Sequence, residues 1–206
     1  LTGLATMLFG AYFALFKSDL KGLLAFSTIS HLGLITMLLG LGTSGAIFAA
    51  LFHILNHATF KAGLFMIAGI IDHETGTRDM RKLSGLRKFM PVTMVLAIIT
   101  SAAMAGVPLF NGFLSKELMF MESYEQQLFG ALSWFVPVLV TLGAMLSVAY
   151  SIRFVHDVFF DGEPVKLTVT PHEPPLMMRV PVIILAALCV LVGLLPMLFV
   201  PNFLQP

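Results

Sequence analysis

Charge is what this sequence has least of. Only 11% of its 206 residues are Asp, Glu, Lys or Arg, against roughly one-quarter in a typical soluble domain. So few charges cannot cover a water-facing surface, which excludes an ordinary soluble globular protein. The single cysteine, Cys189, lies in an apolar run, so an intrachain disulfide and a C-x-x-C site are both excluded. Lys and Arg number 12 and Asp and Glu 11, leaving a net charge of +1. Without a basic excess, nucleic acid is not an expected partner. No charged n-region and no small-residue cleavage site precedes the first apolar stretch, so no signal peptide is visible. That stretch, LTGLATMLFGAYFALF, is 16 residues long, a little short for a membrane span. It reads as a trimmed first helix, in a segment cut from a longer protein.

What is present is apolar, with 58% of residues hydrophobic. Runs of about 20 such residues are long enough to cross a hydrocarbon core roughly 30 Å thick. The predicted class is an all-α polytopic membrane protein, a single transmembrane domain over residues 1–206 embedded in a lipid bilayer. Six helices are predicted at about 1–16, 20–41, 46–71, 91–121, 132–160 and 177–200. The fourth is interrupted by AGVPLFNG, where Gly106, Pro108, Asn111 and Gly112 should break it. The linker DGEPVKLTVTPHEPP suits a short hairpin or none.

The distribution of the basic residues tests this topology. Alternating helices put the loops near 17–21, 72–89 and 153–179 on one side. Those loops hold Lys17, Lys21, Arg78, Arg81, Lys82, Arg87, Lys88, Arg153, Lys166 and Arg179, ten of the 12 basic residues. The opposite loops carry Glu122 and Glu125 instead. The positive-inside rule then assigns the basic side to the cytoplasm. The two remaining basic residues, Lys61 and Lys116, fall inside predicted spans.

The stretch HILNHATFK sets His53, His57 and Lys61 at intervals of four. Residues so spaced share one helical face, about 6 Å apart along the axis, with Asn56 near the edge of the stripe. His31 lies at the middle of the neighbouring segment, with Ser27, Thr28 and Ser30 one turn away. An ammonium at the bilayer centre costs a few kcal/mol and survives by facing the bundle interior. Two unit charges about 8 Å apart in an effective dielectric near 20 repel by roughly 2 kcal/mol, so a proton arriving on one group displaces one from the next. The stripe is therefore a candidate proton relay. Lys116 follows the helix break by a turn or two, and broken helices at membrane depth line cavities and ion sites.

Other readings of these residues stay open. His31 alone suits a hydrogen-bonded packing role, and Lys116 suits a lysine snorkelling from a proline kink. A His-x-x-x-His pair suits zinc, but a third ligand is missing and the next group on the stripe is a cation. Bis-histidine haem ligation by His31 and His57 would make the chain an electron carrier. It leaves Lys61 unexplained. A non-transporting scaffold would have no use for either lysine. Glu117 points roughly 100° away from Lys116 and is not its partner. Lys21 opens a helix at a turn and can reach inward. Arg153 and Asp157 have the spacing of a local salt bridge, and His73 and His172 read as solvated.

Four motifs in order, KSDLKGLLAFSTISHLGL, HILNHATFKAGLF, DHETGTRDMRKLSGLRK and AGVPLFNGFLSKEL, resemble the antiporter-like subunits shared by Mrp-type cation/proton antiporters and respiratory NADH–quinone oxidoreductase. The TGTRDMRKLSGL loop, FNGFLSKEL and the HEPPL…GLLP pattern are more similar to the large A subunit of the Mrp antiporter. The resemblance implies a subunit exchanging sodium, or another monovalent cation, for protons, a transporter and not an enzyme. It implies neighbouring membrane subunits, a bacterial plasma membrane and no redox cofactor within the chain, H⁺ and Na⁺ being the transported ions. It also implies that this segment is mainly the second of two inverted repeats. Residue by residue, it matches Lys21 to the lysine opening the LLA-STIS helix, His53, His57 and Lys61 to the central relay, and Lys116 to the lysine of the broken helix. His31 stands where relatives often carry another polar residue. The respiratory proton-pumping subunit is the alternative within the same resemblance.

Overall fold

The computed structural model of the chain describes residues 1–125, 133–164, 167 and 169–199, and among these the regular structure is helical. In chain order the helices are α1 (Thr2–Phe16), α2 (Leu20–Leu41), α3 (Ser44–Thr75), a short α4 (Met80–Leu83), α5 (Pro91–Ala105), α6 (Asn111–Glu125), α7 (Phe135–Val155), α8 (Leu176–Leu194) and a short α9 (Pro196–Phe199). A π-helical turn, His156–Phe160, continues α7. Among the described residues, four helices are long and apolar enough to cross a membrane: α2, α3, α7 with its π turn, and α8. The remaining predicted spans are α1, whose 15 residues reach only about 22 Å, and the fourth, which is two helices of 15 residues each, α5 and α6. The described part of the 161–175 linker holds neither helix nor strand. Lys166, Leu132 at the start of the predicted fifth helix and Val200 at the end of the sixth lie outside the described residues.

Helix ends explain how the bundle is fastened. Asp19 caps α2, accepting from the Gly22 amide at 2.6 Å, and pairs with Arg78 at 2.8 Å. The backbones beside them exchange hydrogen bonds, Leu20 N–H to Arg78 O and Met80 N–H to Ser18 O. Asp79 caps α4 through the Arg81 amide. The Arg81 guanidinium hydrogen-bonded to Asp79 holds this carboxyl below the usual carboxylate range. Glu173, from the last linker, accepts from the Val92 and Thr93 amides at the start of α5, at 2.8 and 3.0 Å. These contacts, with Lys88–Glu163 at 3.2 Å, gather the 17–19, 77–90 and 161–175 segments at one end of the bundle. At the other end Thr43 caps α3 and donates to Glu122 at 2.7 Å.

α1 and α2 pack almost backbone to backbone, as small residues allow in membrane helices. A Cβ on Gly33 would meet the Met7 amide, and one on Gly3 the Met37 amide. Burial then divides into two apolar clusters. One, with Leu20, Leu24, Phe60, Leu64 and Phe154, adjoins the basic loops. The other, with Leu4, Leu34, Leu38, Ala50 and Val140, lies towards Thr43 and Glu122. Between these clusters lie buried polar residues of α2, α3 and α7, namely Ser27, Ser30 and His31, then His53, Asn56 and Lys61, then Ser147, while Glu74 and Thr75 are buried at the basic end of α3. The fold thus holds a polar layer between two apolar plugs.

Candidate functional site

α2 and α3 run antiparallel, joined by a tight turn at Gly42 and Thr43. Their facing positions form rungs. Lys61 Nζ donates to Ser27 Oγ and to the Leu24 carbonyl. Four residues further along α2, His31 Nδ1 meets His53 Nε2 at 3.0 Å, with the rings stacked. The His57 ring lies 5.1 Å from that of His31, centroid to centroid, and 6.1 Å from that of His53. The spacing of four along α3 is what brings His53, His57 and Lys61 onto the face that α2, with His31, covers. His53 and Lys61 are buried, whereas His57 is half-buried. His57 Nε2 and Asn56 Nδ2 are buried without a hydrogen-bond partner among the described residues.

The row continues into the broken span. His53 Nδ1 lies 2.9 Å from Ser115 Oγ on α6. The next residue, Lys116, is buried and its Nζ donates to the carbonyls of Met104 and Ala105, at 2.9 and 2.8 Å, and to Ser147 Oγ at 3.0 Å. The break supplies those acceptors. An α-helix leaves its last four carbonyls without intrahelical donors. At the end of α5 the Gly106 amide takes those of Ala102 and Ala103, and the lysine takes the other two. A cation also suits the negative end of the helix dipole. Gly106 adopts φ 84°, and a Cβ at Gly112 would strike the Ala103 carbonyl, so both glycines let α6 fold back against α5. Pro108 lies in the non-helical link itself. Asn111 is buried, and neither atom of its amide finds a protein partner among the described residues.

On α7, Tyr150 is fully buried, and its hydroxyl lies 3.2 Å from His31 Nε2. Both nitrogens of His31 are therefore engaged in hydrogen bonds. Among the described residues no three His, Cys, Asp or Glu side chains are arranged to hold a metal ion. A cavity of ≈ 20 Å³ opens beside Tyr150, bounded by Ser30, His31, Lys116 and Ser147. Lys21 stands apart: it pairs with Asp72 at 2.7 Å at the basic end of the bundle and is 39% exposed. Arg153 pairs with Asp157 at 3.0 Å, while His73 and His172 are exposed and flank the buried Glu74.

The site thus joins His31, His53, His57, Lys61 and Lys116 across three helices and leaves Lys21 outside. Ser115, Ser147 and Tyr150 are members that sequence reasoning misses. The faint signal is the pair Ser147 and Tyr150, polar groups three apart within the largely apolar α7. Chemically, the row alternates groups that both give and accept protons. A neutral imidazole presents one N–H and one lone pair, so a proton entering at one nitrogen releases another at the far one.

Known proteins resemble this chain in sequence and fold. The family described as NADH:quinone oxidoreductase/Mrp antiporter, TM, matches residues 1–147. The whole chain aligns at 58% identity with a probable K(+)/H(+) antiporter A/B subunit of Rhizobium meliloti, covering 20% of that protein. It aligns at 42% with the A subunit of the Na(+)/H(+) antiporter of Bacillus subtilis, covering 27%. The chain therefore spans between a fifth and just over a quarter of these relatives. Among solved structures, a chain of the Mrp complex from Dietzia sp. superposes with a TM-score of 0.86 at 37% identity, over 98% of this chain and 21% of that one. A chain of respiratory complex I from Thermus thermophilus shares the fold at 24% identity, with a TM-score of 0.85, over 98% of this chain and 41% of that one. This chain is a member of the NADH:quinone oxidoreductase/Mrp antiporter transmembrane family.

Proposed function

We propose that the chain is part of a membrane subunit that exchanges a monovalent cation, Na⁺ or K⁺, for protons. It acts as a transporter and not as an enzyme. The observation that carries this reading is the gathering of Lys61, the three histidines, Ser115 and Lys116 on facing helices, set between two apolar plugs. Such a gathering costs several kcal/mol to bury in a membrane and has no packing purpose that apolar residues would not serve better. Protons pass along His53, His57 and Lys61, with His31 completing the imidazole cluster. Lys116, at the helix break formed by Gly106, Pro108, Asn111 and Gly112, is the exchange site at one end. Lys21 and Asp72 stand at the mouth on the basic side.

The names of the relatives support the cation and the setting: antiporter subunits of bacteria, and an Mrp complex. On that reading the chain is mainly the second inverted repeat of a longer subunit, works beside other membrane subunits in the bacterial plasma membrane, and turns its basic loops to the cytoplasm. It needs no redox cofactor of its own.

The test is cation-induced collapse of a preformed proton gradient in everted vesicles holding the full-length subunit with its partners. Wild type should respond to Na⁺ or K⁺. Lys61→Ala and Lys116→Ala should assemble and lose exchange at least tenfold. Wild-type rates in both variants would make the lysines structural and overturn the reading. A gradient that responds to NADH and ignores both cations would assign the chain to the respiratory branch of its family.

A further inference from the structure

We propose that Tyr150, together with Ser147, is the bridge that joins Lys116 to the histidine cluster, so that proton flow between the two halves of the site passes through the Tyr150 hydroxyl. The inference rests on the relay reading above and adds to it a route and two residues.

Three observations carry it. First, the row has a gap. His53 reaches Ser115, but Ser115 turns its own hydroxyl to the Gly112 carbonyl at 3.2 Å, and Lys116, its neighbour in the chain, bonds Met104, Ala105 and Ser147 instead. Residues adjacent on a helix point about 100° apart, so Ser115 and Lys116 face different neighbours. Second, α7 spans the gap. Ser147 accepts from Lys116 Nζ at 3.0 Å, and Tyr150, three residues on, reaches His31 Nε2 at 3.2 Å. Ser30 and Ser147 line the same cavity as Tyr150. Residues three apart lie on one helical face, so the two groups present a single polar edge. Third, the ≈ 20 Å³ cavity bounded by Ser30, His31, Lys116, Ser147 and Tyr150 has room for about one water, and its walls offer the two to four polar partners that a buried water needs.

The transfer balances without any further reactant. The Lys116 ammonium gives a proton to Ser147 Oγ. The serine hydroxyl, which lies 3.4 Å from the Met104 carbonyl, turns from it and passes its own proton to Tyr150 Oη, directly or through the cavity water. Tyr150 passes its original proton to His31 Nε2. The net change is an ammonium becoming an amine at Lys116 and an imidazole becoming an imidazolium at His31, with both hydroxyls restored.

The same geometry explains why tyrosine suits the position. His31 is bonded at both nitrogens, so its N–H points either to His53 or to Tyr150. In the first polarity Tyr150 donates to Nε2; in the second it accepts. After each proton passes, the polarity must be reset, and a phenolic O–H does this by rotating about one bond. A phenylalanine would fill the same space and leave His31 Nε2 without a partner.

The experiment uses the full-length subunit with its partners in everted vesicles and compares Tyr150→Phe, Ser147→Ala and, as a control, Tyr12→Phe on the exposed face of α1. Complex assembly, the cation-induced exchange rate across pH, and the rate in D₂O are measured. The expected result is intact assembly with at least a tenfold loss of exchange in both bridge variants, a changed pH profile and solvent isotope effect in their residual activity, and wild-type behaviour in the control. A packing role for Tyr150 predicts instead that Tyr150→Phe exchanges normally. Wild-type exchange in either bridge variant overturns the bridge, and Ser147→Ala decides the matter should Tyr150→Phe fail to assemble. If Lys61→Ala and Lys116→Ala lose exchange while the bridge variants keep it, only this inference fails. If the lysine variants also exchange normally, the relay falls with it.

Discussion

Gly106 meets two demands at once. Its φ of 84° lies in the left-handed region, where a side chain costs roughly 1–2 kcal/mol. A Cβ there would also sit 2.7 Å from Cδ of Lys116, in the space through which the lysine stem reaches the Met104 and Ala105 carbonyls. Gly106→Ala is therefore expected to lower both the melting temperature in detergent and the exchange rate. Gly40→Ala, at a helical glycine with nothing within 4 Å of the added carbon, should be neutral or slightly stabilising, because alanine is favoured over glycine in a helix by about 1 kcal/mol. Equal behaviour of the two variants would show that the lysine does not depend on the shape of the break. Residue by residue, the legible part of the site is what lies on one helix. The intervals of four from His53 to Lys61 show in the sequence because the helical period is local. The Tyr150–His31 contact joins positions 119 apart, and only the packing of α7 against α2 brings them together.

At the scale of elements, capping decides what hydropathy cannot. The apolar run suggests that the third helix stops near residue 71, where charge begins. Instead α3 continues to Thr75, since Thr43 caps its start and Gly76, at φ 70°, closes its end; its 32 residues make a rod about 48 Å long. The fourth segment is legible as broken because glycine and proline interrupt it, although α6 runs on to Glu125. The last linker is hardest to read: its short polar sequence gives no period, and its role lies in Glu173 reaching across to the start of α5. Removing that cap by Glu173→Ala should cost about 1 kcal/mol and speed amide hydrogen exchange at Val92 and Thr93. Glu173→Gln, which keeps an acceptor oxygen, should restore most of the protection. Unchanged exchange in Glu173→Ala would mean that the linker does not hold α5.

At the scale of the whole molecule, the basic residues foretell that the 17–21, 72–89 and 153–179 loops share one end, and the ion pairs between those segments bring them there. Which compartment that end faces is open to a direct measurement. Cys189 is buried, so introduced cysteines report cleanly. Lys82→Cys and Ser44→Cys lie exposed at opposite ends. A membrane-impermeant maleimide should label Lys82→Cys in everted vesicles and Ser44→Cys in right-side-out ones. The reverse pattern would invert the proposed orientation.

The polar layer between two apolar plugs also has an electrical meaning. Oil-like plugs are insulators, and a layer rich in dipoles, with the mobile protons of the proposed relay, behaves as a conductor. In such a stack the membrane voltage falls across the plugs and hardly at all within the layer. A charge held at mid-depth has then crossed about half of the potential, worth about 1.2 kcal/mol for every 100 mV. The molecule is in effect two capacitors in series, and the imidazoles and lysines form the plate they share.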